Sequence, residues 1–365
     1  MKKLLIFHPT IAPYRIDFFN DLYCAFDTRI CLLYRNLKSQ KFDYTNIEKK
    51  LIFSPVYLRE LIKIGRKTFY GGFWKQLREF NPDIVIVSAY DFDALLAYLY
   101  KFIYRKNYKI VAISDDSYNM VAEGNDFSRL HKLSRKLLAP KMDELILIEP
   151  QSVKWHQEHF GKGLYFPIIR NAELAREVYK SLVPKSKETV IKYNLLGKRV
   201  FLFVGRLVKI KNVSTAIIAF SRIDQKDNVF VVVGDGPEIQ SLKQIAKEHE
   251  ANVIFTGRLE GDELYQWYNI SSCFVLASYQ EPFGAVTNEA LLAGCWSLIS
   301  KKAGSQCLIE DGKNGYTFNP MDVDELEGMM TKSLERTPLI NEVDLKDDRM
   351  LIDYKECMNN LIKNL

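Results

Sequence analysis

Along this chain the apolar positions fall mostly in short unbroken runs. In the first half the runs are KLLIF, RICLLY, DIVIVS, KIVAIS and ELILI; in the second they are VFLFVG, VFVVVG, NVIFTG, CFVLAS and SLIS. A half-exposed strand alternates apolar and polar residues, whereas a strand covered on both faces reads as a continuous apolar run. Stretches with helical spacing separate many of the runs, among them residues 18–26, 93–104, 213–223 and 238–250. This succession predicts two α/β units, each a doubly wound parallel sheet. The polar stretch NAELAREVYKSLVPKSKETVIKYNLLGK shows no strand pattern, so the boundary is expected between Arg170 and Lys198. The expected domains are residues 1–175 and 190–345. Residues 346–365 are expected to form a helix packing back on the first domain, with Leu351, Tyr354, Met358 and Leu361 on its apolar face.

A chain of 365 residues is long for one core and suits two domains. With 47% apolar and 26% charged residues it reads as globular and not disordered. The six cysteines, Cys24, Cys31, Cys273, Cys295, Cys307 and Cys357, form no C-x-x-C pair. That suits reduced thiols in a cytoplasm and argues against a zinc site or a disulfide framework. The opening MKKLLIFHPT is broken by His8 and Pro9 too early for a signal peptide. The longest apolar stretch, ALLAYLYKFIY, falls well short of the ~20 residues that span a bilayer. The expected location is therefore cytoplasmic.

The net charge of +6 is unevenly placed: residues 1–175 hold 27 Lys/Arg against 19 Asp/Glu, and the rest 24 against 26. The basic half contains KFIYRKNYK and RLHKLSRKLLAPK. These are either solvated helix faces or a means of attracting an anionic partner, such as a membrane surface or a diphosphate-bearing acceptor. No nucleic-acid-binding motif accompanies the charge, so no nucleic-acid partner is expected.

Ligands of open α/β sheets bind outside the carboxyl ends of the strands, so the residues just after each strand carry the chemistry. After VFLFV comes GRLVKIKN, where Gly205 ends the strand and Arg206 and Lys211 are two cations that one loop could aim at a phosphate. The plain alternative is a pair of surface cations flanking a turn. After VFVVV comes GDGPEIQ, in which Gly234 and Gly236 let backbone approach a ligand, or simply make a tight strand-to-helix turn. It is not a full G-x-G-x-x-G, because Ile239 takes the third position. After NVIFT comes GRLEGDEL, where Gly257, Arg258 and Leu259 form another bare loop and Asp262 is placed to cap a helix. After CFVLAS comes EPFGAVTNEALLAG, a turn and a short helix closed by Gly294. It holds two carboxylates, Glu281 and Glu289, around the N–H groups of Phe283, Gly284 and Ala285, which favour an anion. Acids are common in first helical turns, but two at this spacing around P-F-G ask for a further reason.

These elements, GRLVKIK, GDGPEIQSL, FTGRL and EPFGAVTNE in that order, together with the later GSQCLIEDGKNGYTFNPMDVDELEGMM, resemble the family-four retaining glycosyltransferases of the GT-B fold, the group 1 glycosyl transferases. The strong match covers about residues 200–330; before it, only the α/β pattern and FPIIRNA match. The resemblance implies two Rossmann-like domains facing a central cleft, with a nucleotide-sugar donor, UDP-sugar first among them, on the second. Glu281 would contact hydroxyls of the transferred sugar and Glu289 the ribose hydroxyls. Arg206 and Lys211 would hold the diphosphate, assisted by the backbone of Phe283, Gly284 and Ala285 and by Gly205 and Gly236. Gly257, Arg258 and Leu259 would border the base. No cofactor and no essential metal is implied, since two cations and a helix N-terminus would stabilise a departing diphosphate. The literal D-x-D string at Asp91 and Asp93, and the pair Asp115 and Asp116, are accordingly not expected to hold a metal. The implied acceptor is a saccharide or a polyprenyl-diphosphate-linked saccharide. The setting would be bacterial surface polysaccharide synthesis, with peripheral contact to the inner face of the cytoplasmic membrane.

The first half departs from the family. HPTIAPYR lacks the relatives' Gly-Gly pair, and ISDDSYN lacks their histidine. Asp116, or Asp115, is expected to take over that histidine's contact to the sugar. His8, Tyr14, Arg15, Tyr90, Asp91 and Asp115 are candidate acceptor contacts. These departures keep two other classes open: a nucleotide-sugar epimerase or hydrolase of related fold, and a non-catalytic nucleotide-sugar-binding protein.

Overall fold

The continuous apolar runs become strands covered on both faces. The computed structural model describes residues 1–36, 42–64, 67–124 and 128–365. They pack as two units, Met1–Arg170 with Tyr354–Leu365, and Asn171–Asp353.

In the first unit β1 (Lys3–His8), β2 (Asp27–Leu32) and β3 (Val56–Tyr57) are followed by an antiparallel hairpin, β4 (Arg59–Ile64) and β5 (Lys67–Gly71). Then come β6 (Ile84–Ser88), β7 (Lys109–Ser114), β8 (Glu144–Leu147) and β9 (Leu164–Tyr165). Apart from the hairpin they form one parallel sheet in the order β3-β2-β1-β6-β7-β8-β9. Leu5, Val85, Ile110 and Leu145 sit fully buried at its centre. The order reverses between β1 and β6, so the loops after these two strands leave to opposite faces and open a crevice.

The second unit repeats the scheme with β10 (Arg199–Val204), β11 (Asn228–Val233), β12 (Val253–Gly257), β13 (Cys273–Leu276), β14 (Trp296–Ser300) and β15 (Gly315–Phe318). The order is β12-β11-β10-β13-β14-β15, all parallel, and the reversal falls between β10 and β13. Two apolar layers sandwich the sheet: one includes Leu202, Val231 and Phe274, the other Phe201, Phe230 and Trp296.

Two segments differ from the sequence reading. The polar stretch after Arg170 forms helices Ala172–Ser181 and Val183–Lys192; their Ala175, Tyr179 and Val190, and Leu182 between them, join the second core. Residues 171–175 therefore belong to the second unit and not to a first domain ending at 175. The expected helix over residues 346–365 is shorter, Tyr354–Asn364, and Leu351 lies outside it, exposed. Its buried face is Tyr354, Met358 and Leu361, and the Tyr354 hydroxyl donates to Asp21 at 2.7 Å within the first unit.

Candidate functional site

The side chains with the strongest claim to chemistry stand in the second unit, where the strand order reverses. Beyond β10 the chain passes Gly205 and the exposed Arg206, makes a 3-10 turn at Lys209–Lys211, and turns through Asn212 in a left-handed conformation with φ 53°. Asn tolerates that conformation. Here Asn212 is buried, donates through Nδ2 to the Pro320 carbonyl at 2.9 Å, and accepts from the Thr215 hydroxyl at 2.7 Å. That fixed corner presents Lys211. Beyond β13 the Tyr279 N–H donates to the Ile210 carbonyl at 2.9 Å, which ties the two loops together. Lys211 Nζ then donates to Glu281 Oε2. Both side chains are largely buried, 17% and 14% exposed, so water screens the pair only in part.

Glu281 is held through its backbone too. Its N–H donates to the Lys302 carbonyl at 3.1 Å, and its carbonyl accepts from Gly304 at 3.0 Å. Behind it, Ser305 N–H donates to the Phe283 carbonyl at 2.8 Å, and the Ser305 and Thr287 hydroxyls meet at 2.8 Å. A Cβ at Gly304 would lie 2.2 Å from the Pro282 oxygen, so only glycine lets this backing segment approach. No hydrogen bond among the described residues engages the N–H groups of Phe283, Gly284 or Ala285. The Phe283 side chain is core, 2% exposed.

Glu289 lies in the short helix Val286–Leu292 and is 8% exposed. Two buried tyrosines grip it. The Tyr268 hydroxyl donates to its Oε2 at 3.1 Å, and the Tyr179 hydroxyl donates to its main-chain carbonyl at 3.0 Å. Burial, and then the neighbouring Glu289 carboxylate, push the Tyr268 phenol well above its ordinary pKa, so it stays a donor. At the helix's other end the Arg349 N–H donates to the Leu291 carbonyl at 2.8 Å and its Nε to the Gly294 carbonyl at 3.0 Å.

The glycine-rich turn after β11 serves the protein's own backbone. A Cβ at Gly234 would lie 1.8 Å from the Gly205 oxygen, and one at Gly236 would lie 2.4 Å from the Leu207 oxygen. Gly234 and Gly236 are thus required by close contact between neighbouring loops, sealed by Leu207 N–H to the Asp235 carbonyl at 2.9 Å. Gly257 has open space around it, Arg258 pairs with Glu260, and Leu259 packs on the core. Asp262 does not cap the helix Gly261–Ile270; it sits inside the first turn and faces Lys185 at 3.3 Å.

In the first unit the structure brings His8, Arg15 and Asp115 together beyond β1 and β7. Arg15 is buried, and its Nη2 donates to Asp115 Oδ1 at 2.7 Å, with Asp115 half exposed. His8 Nδ1–H donates to the Thr10 carbonyl at 2.6 Å. Burial, then the Arg15 cation, pull its pKa down to about 4, so it is neutral at pH 7. Tyr14 is half-buried on the same turn, and Asp91 is exposed beyond β6.

Two other candidates are corrected. Asp116 is 1% exposed, with Oδ1 accepting from His131 Nε2 and Oδ2 from Arg135 Nη1, both at 2.8 Å. Burial pushes its pKa up, but His131 and Arg135 overcome that and hold it below the usual value. It is a structural anchor and not a sugar contact. Tyr90 is fully buried against His156, 3.3 Å from its hydroxyl, and faces no acceptor. Asp93, the second acid of the D-x-D string, turns inward to accept from the Ser88 and Ala94 N–H groups. Among the described residues no three His, Cys, Asp or Glu side chains cluster as metal ligands.

Residues 186–347 match the family profile described as Glycosyl transferases group 1. This part of the chain is a group 1 glycosyltransferase domain. An uncharacterised glycosyltransferase of Methanocaldococcus jannaschii is 26% identical over 283 residues, covering 73% of this chain and 70% of that protein. The alpha-monoglucosyldiacylglycerol synthase of Streptococcus pneumoniae is 30% identical over 205 residues, covering 55% of this chain and 45% of that protein. The chain thus spans less than half of this second relative's length. The Anabaena protein HepE, crystallised with UDP and glucose, superposes with a TM-score of 0.72 at 17% identity, covering 100% of this chain and 99% of its own. At that identity the likeness speaks for the fold, and the fold is GT-B. Within the second unit the sequence reading missed Tyr268, Tyr179, Asn212 and Ser305. Asn212, directly after the K-I-K turn, carried a signal in its own residue type; the tyrosines carried none.

Proposed function

We propose that the chain transfers a sugar, with retention of anomeric configuration, from a nucleoside-diphosphate sugar to a saccharide or lipid-linked saccharide. The observation that carries this reading is the Lys211–Glu281 pair at the β10/β13 reversal, with Arg206 exposed on the same loop and Glu289 held by Tyr268. Without donor, Lys211 and Glu281 neutralise each other. An arriving diphosphate competes for Lys211, and the released Glu281 carboxylate accepts from hydroxyls of the sugar. Arg206 offers a planar fork to phosphate oxygens, and the pair of cations stabilises the charge that builds on the leaving diphosphate. Glu289, fixed in rotation, accepts from the ribose hydroxyls. These cations meet the need for positive charge, so the proposal includes metal-independent transfer.

UDP-sugar is the first donor to test, because HepE was crystallised with UDP and glucose. A lipid-bearing acceptor is supported by the name of the streptococcal relative, and synthesis of a bacterial surface glycan is the proposed setting. The test is incubation with a panel of nucleotide sugars and acceptors, with the product's anomeric configuration read by NMR. Transfer with retention is expected. An inverted product overturns the stereochemical claim, donor hydrolysis indifferent to acceptor favours a hydrolase, and tight binding without turnover favours a non-catalytic binder.

A further inference from the structure

Buried hydroxyls in the second unit find partners as a rule. Ser333 donates to the Met330 carbonyl and Thr337 to the Ser333 carbonyl, both at 2.6 Å. Ser186 donates to the Leu182 carbonyl at 2.9 Å, and Ser300 accepts from the Lys302 N–H at 3.0 Å. Ser278 is the exception. It is fully buried, and among the described residues it is the one serine or threonine whose buried hydroxyl has no hydrogen bond. An unpaired buried hydroxyl costs the free energy of its desolvation, and alanine would keep the packing without that cost. A hydroxyl kept at such a place calls for a partner that arrives with a ligand.

The position of Ser278 says which ligand. It follows β13, whose residues alternate between the two apolar layers: Phe274 and Leu276 in one, Cys273, Val275 and Ala277 in the other. The alternation carries Ser278 to the face of Leu276, one position nearer the carboxyl end. That face lies under the turn that holds Glu281, since a Cβ at Gly284 would lie 2.7 Å from Leu276 Cδ2 and 3.2 Å from Glu281 Cγ. The next residue, Tyr279, donates its N–H to the Ile210 carbonyl, directly before Lys211. Ser278 therefore stands at the β10/β13 reversal, beside the Lys211–Glu281 pair.

We infer that Ser278 is a donor-binding residue, whose hydroxyl donates to the phosphate joined to the transferred sugar. The inference rests on the nucleotide-sugar reading above and adds a neutral hydrogen-bond donor to its two cations. That phosphate is the fitting partner because Glu281, three residues on, reads the sugar, and Lys211, once freed, takes the phosphate bonded to it. The hydroxyl is closed off from solvent in the unliganded chain, where Lys211 and Glu281 are joined. The exchange that parts them opens it. A hydroxyl on an anionic oxygen makes a short, strong bond, and it strengthens as charge gathers on the leaving diphosphate. A bound water is the rival partner. It would serve the fold, so losing the hydroxyl would lower stability and leave nucleotide binding alone.

The test is Ser278→Ala, with melting read without nucleotide and calorimetry run with UDP, GDP and ADP and with their monophosphates. The variant should melt no lower than the wild type. It should bind the preferred diphosphate about tenfold more weakly, while its affinity for the matching monophosphate stays within about twofold. A serine that serves only the fold does not give that combination. A variant that binds the diphosphate as the wild type does overturns the inference, whatever its melting. Equal losses for diphosphate and monophosphate also overturn it, because the contact is then not with the terminal phosphate. Lower melting with unchanged binding assigns the hydroxyl to a bound water instead. A wild type that binds none of the three diphosphates brings down the donor reading and this inference with it; a wild type that binds beside an unaffected variant brings down this inference alone.

Discussion

Tyr268→Phe removes one oxygen and should expose how Glu289 works. The hydroxyl donates at 3.1 Å to Oε2 of a carboxylate that is 8% exposed. Hydrogen bonds to charged groups are worth about 1.5–3 kcal/mol, and the phenyl ring keeps the packing of a fully buried side chain. Stability should fall by about that amount, lowering the melting temperature by several degrees. Binding should fall less, about 3- to 10-fold, because a freed carboxylate can still reach the ribose after paying rotational entropy. Tyr179→Phe is the matched control. It also removes a buried hydroxyl, but one that serves the Glu289 main-chain carbonyl and not its carboxylate. Calorimetry with UDP and with its 2′,3′-dideoxy analogue separates the two. The wild type should prefer the ribose form, Tyr268→Phe should narrow that preference, and Tyr179→Phe should keep it while losing stability. A Tyr268→Phe protein with the full wild-type preference would refute the positioning role while leaving donor binding intact.

Arg206→Ala should cripple transfer with little change in melting, and Lys211→Ala should cripple it while also lowering melting, because it leaves the largely buried Glu281 carboxylate without its partner; full activity in both would remove them from the site. Transfer measured with and without EDTA should be equal, whereas a loss restored by Mg²⁺ or Mn²⁺ would overturn metal independence. Glu149, buried and accepting from the Tyr118 N–H, has its pKa pushed up from 4.5 to about 7 by desolvation. A raised folded pKa gives stability that is full below 4.5 and lost as pH rises through about 7, a span of about 3 kcal/mol. Glu149→Gln should therefore flatten the fall in melting temperature between pH 4.5 and 8. A residual slope should remain from Asp93, which burial likewise raises to about 7; an unchanged slope would contradict the assignment.

The strands were legible because both faces are buried, which writes an apolar run directly into the sequence. The hairpin Arg59–Gly71 was not, because RELIKI and KTFYG mix charges with apolar residues on a two-stranded ribbon. The helices after Arg170 hid behind a polar face, with few core positions per turn. In the site, Arg206, Lys211, Glu281 and Glu289 follow strands in a readable order. Their supports do not: Tyr268 meets Glu289 across 21 residues and His131 meets Asp116 across 15. Asp116 misled for that reason, since nothing local says that a loop acid is already locked by a helix. A glycine needed for close backbone approach, such as Gly236, looks the same in the sequence whether the neighbour is a ligand or Leu207.

The most direct measurement is calorimetric titration of nucleoside diphosphates (UDP, GDP and ADP) into the wild type, Glu281→Gln and Glu289→Gln. One nucleotide should bind the wild type. Glu289→Gln should weaken it about tenfold, as loss of a charged ribose contact requires. Glu281→Gln should bind it at least as well as the wild type, because Lys211 no longer has to leave a carboxylate. Equal losses in both variants, or no binding of any nucleotide to the wild type, would contradict the account.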